Sequence, residues 1–117
     1  MQDSILNYIK ELLGVSLDED SFDGEIQSAI NNAFFTLHQL GIEPEEFKTT
    51  KKIFFVKGIE TTWSEFLSND NRLEFVKNYI FLKTKLQFEN IANNVLKESI
   101  NSNISELEFR LKTEFEC

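Results

Sequence analysis

Cysteine is almost missing from this sequence. Its single copy stands at position 117, so no disulfide can close a loop within the chain, and a reducing cytoplasm is the simplest setting for it. Histidine and tryptophan also occur once each, as His38 and Trp63. A metal centre or an acid–base pair needs partners at suitable spacing, and His38 has neither a second histidine nor a nearby cysteine. With one proline and four glycines, little interrupts regular structure, and long elements are expected. No apolar run approaches the ~18 residues of a membrane span, and the N-terminus carries no signal-peptide pattern. Phosphate-binding glycine loops, zinc spacings and serine or cysteine nucleophile arrangements are absent. The carboxylates are scattered, with no pair set apart for catalysis. These gaps point away from an enzyme, and no cofactor or metal is expected.

What is present in excess is acid. Twenty Asp and Glu against twelve Lys and Arg give a net charge of -8, which opposes unaided binding to nucleic acid or to an anionic membrane surface. The length of 117 residues suits one domain, 1–117, with a single real core. Twelve phenylalanines are many for that length. Either the core is very aromatic, or some rings lie on a surface that a partner covers.

Along the chain, residues 3–13 read as a short amphipathic helix with Asp3 as its cap. Ile5, Tyr8, Ile9, Leu12 and Leu13 form its stripe, and Gly14 its left-handed stop. After the acidic connection "SLDEDSFDGE", a second helix is predicted over about 22–40. There Phe22, Ile26, Ile30, Ala33, Leu37 and Leu40 stack on one face, with Gly41 ending the helix and Pro44 opposing a restart. The segment "KTTKKIFFVKG" has β-branched and aromatic residues without a helical period, so it reads as a strand or an extended arm. Its lysines, Lys48, Lys51, Lys52 and Lys57, make it the one basic segment. A lone strand must form a small hairpin, join another chain's sheet edge, or wait for a partner. "TTWSEFL" carries a capping box between Thr62 and Glu65 and opens a short helix. A central helix over about 70–88 has apolar residues on several faces. A last helix over about 94–114, capped by Asn93 or Asn94, has the seam Leu96, Ile100, Ile104, Leu107 and Leu111, with Glu106–Arg110 and Glu108–Lys112 as i,i+4 pairs. The expected fold is therefore mainly α: a compact bundle of four main helices plus one short helix, with a short extended arm or β-hairpin around residues 48–58.

Two local patterns invite a chemical reading and lose it. In "SFDGEIQSAINNAFFTLHQLGI", Phe34 and Phe35 point about 100° apart, so one joins the core and the other borders it, while Asn31 and Asn32 take the flank and the polar side. This is an ordinary helix, and His38 is structural. A calcium loop counted from Glu19 puts Ser21, Asp23 and Gly24 in register, but its twelfth place is Ile30 where a bidentate glutamate is required. Trp63 reads as a core anchor.

Four blocks, "SFDGEIQSAINNAFFTLHQLGI", "TTWSEFL", "VKNYIFLKTKLQF" and "ISELEFRL", in this order and spacing, resemble the small helical head–tail connector (adaptor, or head-completion) proteins of tailed bacteriophages, the type found in prophages of Gram-positive bacteria. The resemblance covers about residues 4–113. It departs after Phe88, where the family commonly runs into prolines and this chain reads "ENIANNV". What it implies is a helical bundle that assembles as a ring of copies beneath the portal protein and is compatible with a monomer in isolation. Such a ring extends the DNA channel without binding DNA specifically, and offers a platform to the head–tail stopper or tail-joining protein. The place would be the virion's head–tail junction, after assembly in the host cytoplasm, with no membrane involved. Expected protein–protein contacts are Lys48, Lys51, Lys52, Phe54, Phe55 and Lys57 on the arm, and Arg110 and Phe115 on the last helix. The competing expectation is a small acidic helical regulator that binds a phage or host protein.

Overall fold

The structure, a computed structural model, describes residues 3–89 and 91–115. Along them run α1 (Ile5–Leu13), α2 (Asp23–Leu40), α3 (Glu45–Thr50), α4 (Trp63–Phe66), α5 (Leu73–Phe88) and α6 (Asn94–Phe115). The mainly α bundle of four main helices is as expected, with two short helices, α3 and α4, in place of one. Among the described residues the only β contact is an isolated antiparallel bridge between Ser4 and Thr62.

The helix α2 supplies the largest share of the core. Ile26, Ala29, Ile30, Ala33, Phe34 and Leu37 are all buried, and each large member contributes about 1.5–3 kcal/mol before entropy is subtracted. Phe34 goes inward, while Phe35 stays out and stacks on His38. α5 is the main partner of α2, and the pair is antiparallel: Phe22 at the start of α2 meets Phe88 at the end of α5 edge-on, centroids 5.7 Å apart. α6 returns along α5, and α1 closes against both α2 and α5. Gly14 and Gly41, at φ 81° and 77°, end α1 and α2 in the left-handed conformation that a side chain disfavours.

The first cap is Ser4, not Asp3: the Asn7 N–H donates to Ser4 Oγ at 3.3 Å. Asp3 is drawn elsewhere. Its carbonyl accepts from the Trp63 N–H at 3.0 Å, and its carboxylate accepts from Ser64 Oγ at 2.8 Å. Ile5 donates in turn to the Thr61 carbonyl, so the starts of α1 and α4 are sewn together. Trp63 is fully buried there, with Tyr8 edge-on to it at 5.5 Å and the Lys77 ammonium over both rings. On α4, Glu65 accepts from the Thr62 N–H at 3.0 Å, the capping box anticipated from the sequence.

Pro44, expected to oppose a restart, instead starts a helix. Its carbonyl accepts from the Phe47 and Lys48 N–H groups at 3.0 and 3.3 Å, and Glu45 and Glu46 complement the dipole of α3. Residues 48–50 are therefore helical, where an extended segment was expected. Lys51, at φ 58°, ends the helix, and only then does the chain stretch out. No hairpin forms within residues 48–58.

Leu12, expected in the α1 stripe, is 48% exposed, and the inner face carries Leu6 and Lys10 instead. Lys10 is 1% exposed. Its ammonium meets Asp23 Oδ1 at 2.8 Å and the Glu19 carbonyl at 2.7 Å. The acidic connection between α1 and α2 thus wraps around a lysine, whose charge occupies the ground that a calcium loop would have offered to the ion.

In α6, Asn93 caps the helix by accepting from the Leu96 N–H at 3.0 Å. Ile100, Ile104, Leu107, Leu111 and Phe115 form the buried seam. Leu96 does not join it. Residues 94–99 are exposed throughout, so the first turns of α6 stand clear of the core. The Glu106–Arg110 pair is present at 2.9 Å, but Glu108 accepts from the hydroxyl of fully buried Tyr79 at 2.8 Å instead of meeting Lys112.

Candidate functional site

The segment after α3 contrasts most with its surroundings. From residue 52 to 57 the chain has neither helix nor turn, and burial alternates along it: Ile53, Phe55 and Lys57 are exposed, Phe54 and Val56 face inward. That period of two is the mark of extended backbone. Phe54 enters an aromatic cluster with Phe34, Phe47 and Phe66, centroids 4.8, 5.9 and 5.2 Å away. Val56 is held by a side chain acting as a strand. Asn31 Oδ1 accepts from the Val56 N–H at 2.6 Å, and Asn31 Nδ2 donates to the Val56 carbonyl at 3.1 Å. The Lys57 N–H donates to Thr61 Oγ1 at 2.9 Å.

Facing outward, the arm presents Lys51, Lys52, Ile53, Phe55 and Lys57, with the Lys57 ammonium 5.3 Å from the Phe55 ring centre. Phe55 is 50% exposed. The arm is thus anchored by one face and open on the other.

A second cationic locus holds the end of α6. The Arg72 guanidinium lies 3.9 Å from the centre of the Phe115 ring and donates to the Glu114 carbonyl at 3.0 Å. Lys48 Nζ donates to the Phe115 carbonyl at 2.9 Å. Two cations from different elements thus satisfy carbonyls that a helix end leaves open. Arg72 is itself aimed by Asp70, whose carboxylate accepts from Nε and Nη2; those hydrogen bonds hold the Asp70 carboxyl below its usual range.

Of the expected contact residues, the fold brings Lys51, Lys52, Phe55 and Lys57 together on the open face of the arm. Phe54 is turned into the core from the same arm, and Phe115 is buried under Arg72. Lys48 belongs to the α6 end. Arg110 is exposed and lies on a separate face of α6, beside a cleft of about 200 Å³ lined by Phe75, Asn78, Asn103, Glu106 and Leu107.

His38 has a partner that its spacing did not advertise. Its Nδ1 lies 3.0 Å from Glu43 Oε1 across the α2–α3 turn, and Glu43 is buried. The pair is isolated: among the described residues no three His, Cys, Asp or Glu side chains converge to hold a metal. The opening of about 480 Å³ beside Asn69, Asp70, Asn71, Arg72 and Glu114 is wide, and the Arg72 guanidinium in it is already taken up by the Asp70 carboxylate and the Glu114 carbonyl.

A family model described as phage connector protein matches residues 5–117. The chain belongs to the phage connector protein family. No curated protein and no solved structure gave a significant match. The connector is thus identified by nearly its whole length, at the level of a head–tail connector or adaptor. A structural role is consistent with that family and with a surface of exposed arms and helix faces.

Three residues that matter most to this connector's architecture were not singled out from its sequence. Asn31 read as a flanking polar residue, and Lys10 and Arg72 drew no attention. The signal for Asn31 was the lone strand itself, which needed a hydrogen-bond partner from somewhere. For Lys10 it was position: it lies one and four residues from Ile9 and Leu6, on the inner face of α1.

Proposed function

We propose that the connector docks as a ring of copies on the portal vertex, extends the DNA channel and presents a platform for the stopper or tail-joining protein. The family match over residues 5–117 carries this reading. Electrostatics supports it. A net charge of -8 on each copy gives a ring a negative lumen through which DNA slides without sticking. Lys51, Lys52, Lys57 and Phe55 are the contacts of the arm with a neighbouring protein, and the C-terminal half of α6, with Arg110 exposed on it, is the part that approaches the portal. The protein works by binding, with no reaction, at the head–tail junction of the virion after assembly in the host cytoplasm.

The test mixes the purified protein with rings of the portal encoded alongside it and images the mixture by electron microscopy. An added layer of density under the portal is the expected result. The triple variant Lys51→Glu, Lys52→Glu, Lys57→Glu folds normally and adds no layer. A wild-type protein that stays monomeric and ignores the portal overturns the reading, and favours a small acidic regulator of another protein.

A further inference from the structure

The arm is paired on its inner edge at Val56 and on its outer edge at the Lys57 N–H, but between Lys52 and Val56 its outer edge is open. In extended backbone the N–H and C=O of one residue point to the same edge, and those of the next residue to the opposite edge. Both main-chain groups of Val56 turn toward Asn31, so those of Ile53 and Phe55 turn away from α2. Neither residue's N–H nor its C=O has a hydrogen-bond partner among the described residues. Their side chains are exposed too, at 41% and 50%. An open donor–acceptor row flanked by β-prone side chains is the usual template for strand addition.

A second copy of this chain is a poor occupant. Among the described residues no other run of comparable length lacks helix and turn, so a copy has only its own arm to offer. Lys51 and Lys52 lie at one end of the arm and Lys57 at the other. Antiparallel or parallel, arm against arm sets lysines opposite lysines, which is destabilising. Charge complementarity calls for carboxylates at both ends of the incoming strand.

We propose that the outer edge of residues 53–55 receives, by strand addition, an acidic extended segment of a different protein. The proposal rests on the reading of the connector as a docking module and names the chemistry of one of its partners. The incoming strand exchanges main-chain hydrogen bonds with Ile53 and Phe55 and lays β-branched side chains beside theirs. Its terminal carboxylates meet Lys51, Lys52 and Lys57.

The probe is the blocked peptide Glu-Thr-Val-Glu-Val-Thr-Glu, added to the isotope-labelled full chain and followed by amide hydrogen exchange. Binding slows exchange at Ile53 and Phe55 by about tenfold or more and leaves Phe54 little changed. The same peptide N-methylated at alternate positions, or with lysine for glutamate, does not bind. Phe55→Pro removes one donor at an exposed site where extended backbone suits proline; it abolishes binding while the helical circular dichroism is unchanged. Binding that leaves the Ile53 and Phe55 amides unprotected, equal binding of the N-methylated peptide, or no binding at all overturns the proposal. So does a dimer of the chain alone that protects these two amides, because the occupant is then a second copy. A connector that layers on the portal but ignores the peptide refutes strand addition alone, whereas one that takes the peptide and ignores the portal refutes only the ring.

Discussion

Replacing Asn31 by alanine tests whether a single amide holds the arm to the bundle. Asn31 makes two hydrogen bonds to Val56, at 2.6 and 3.1 Å, and Val56 is 1% exposed. With the amide gone, a buried N–H and a buried C=O lose their partners, at about 1–3 kcal/mol each. The chain has a less costly alternative to bearing both losses in full, since the arm can lift away. Lifting exposes Val56 and part of Phe54, which costs about 1.5–3 kcal/mol for each side chain fully uncovered. The loss therefore saturates at about 3–4 kcal/mol, and about 2–3 kcal/mol is the expected value. For a domain of this size that lowers the melting temperature by about 10 °C. Two assays separate the routes. Urea denaturation followed by circular dichroism gives the global loss, and limited trypsin digestion under native conditions reports arm release through cleavage after Lys51, Lys52 and Lys57. Asn31→Asp makes the finer test. It keeps the acceptor for the Val56 N–H but sets a carboxylate against the Val56 carbonyl, so it falls at least as low as alanine. An Asn31→Ala protein that melts like the wild type and resists trypsin equally would refute the claim that this side chain anchors the arm.

The same physics gives three more expected outcomes. Lys10→Met removes the cation buried between Asp23 and the Glu19 carbonyl. Because the Asp23 side chain keeps 28% exposure, the loss in urea denaturation is expected at about 2–3 kcal/mol, below that of a fully buried pair. Burial first, then the nearby carboxylate, pushes the hydroxyl pKa up in both Tyr79 (Glu108) and, more weakly, Tyr8 (Glu74). The raised folded value means this stability is whole below about pH 10, where an unfolded tyrosine ionises, and is lost as pH climbs above it. Absorbance at 295 nm should show Tyr79 ionising only together with unfolding, and a reversible Tyr79 titration near pH 10 in folded protein contradicts the burial argument. Leu107→Asp puts an unpaired carboxylate into the α6 seam and should cost several kcal/mol, read as loss of the cooperative thermal transition.

The helices were legible because each long one is amphipathic over several turns and is punctuated. Gly14 and Gly41 stop α1 and α2, Asn93 opens α6, and Glu65 closes back on Thr62; all act within four residues of their own positions. The family resemblance was legible for the same reason, since it rests on blocks of such positions in order. The misreadings occur where local and distant choices competed. Pro44 was read as opposing a helix restart, yet its carbonyl caps the helix that begins one residue later. Leu96 continues the α6 period, but the first turns of that helix are exposed and its buried residues begin at Ile100.

By itself, then, the sequence determined the class of fold, the long helices with their ends, and membership of the connector family, because periodicity and capping are properties of neighbouring residues. Tertiary structure alone decided the rest. It turned Asn31 into a strand partner for Val56, closed the acidic connection on Lys10, and set Arg72 and Lys48 on the end of α6. Each of those bonds joins residues whose meeting depends on how the helices stack, and no local pattern carries that information. The same packing chose which side of the lysine-bearing arm faces the core and which edge stays open.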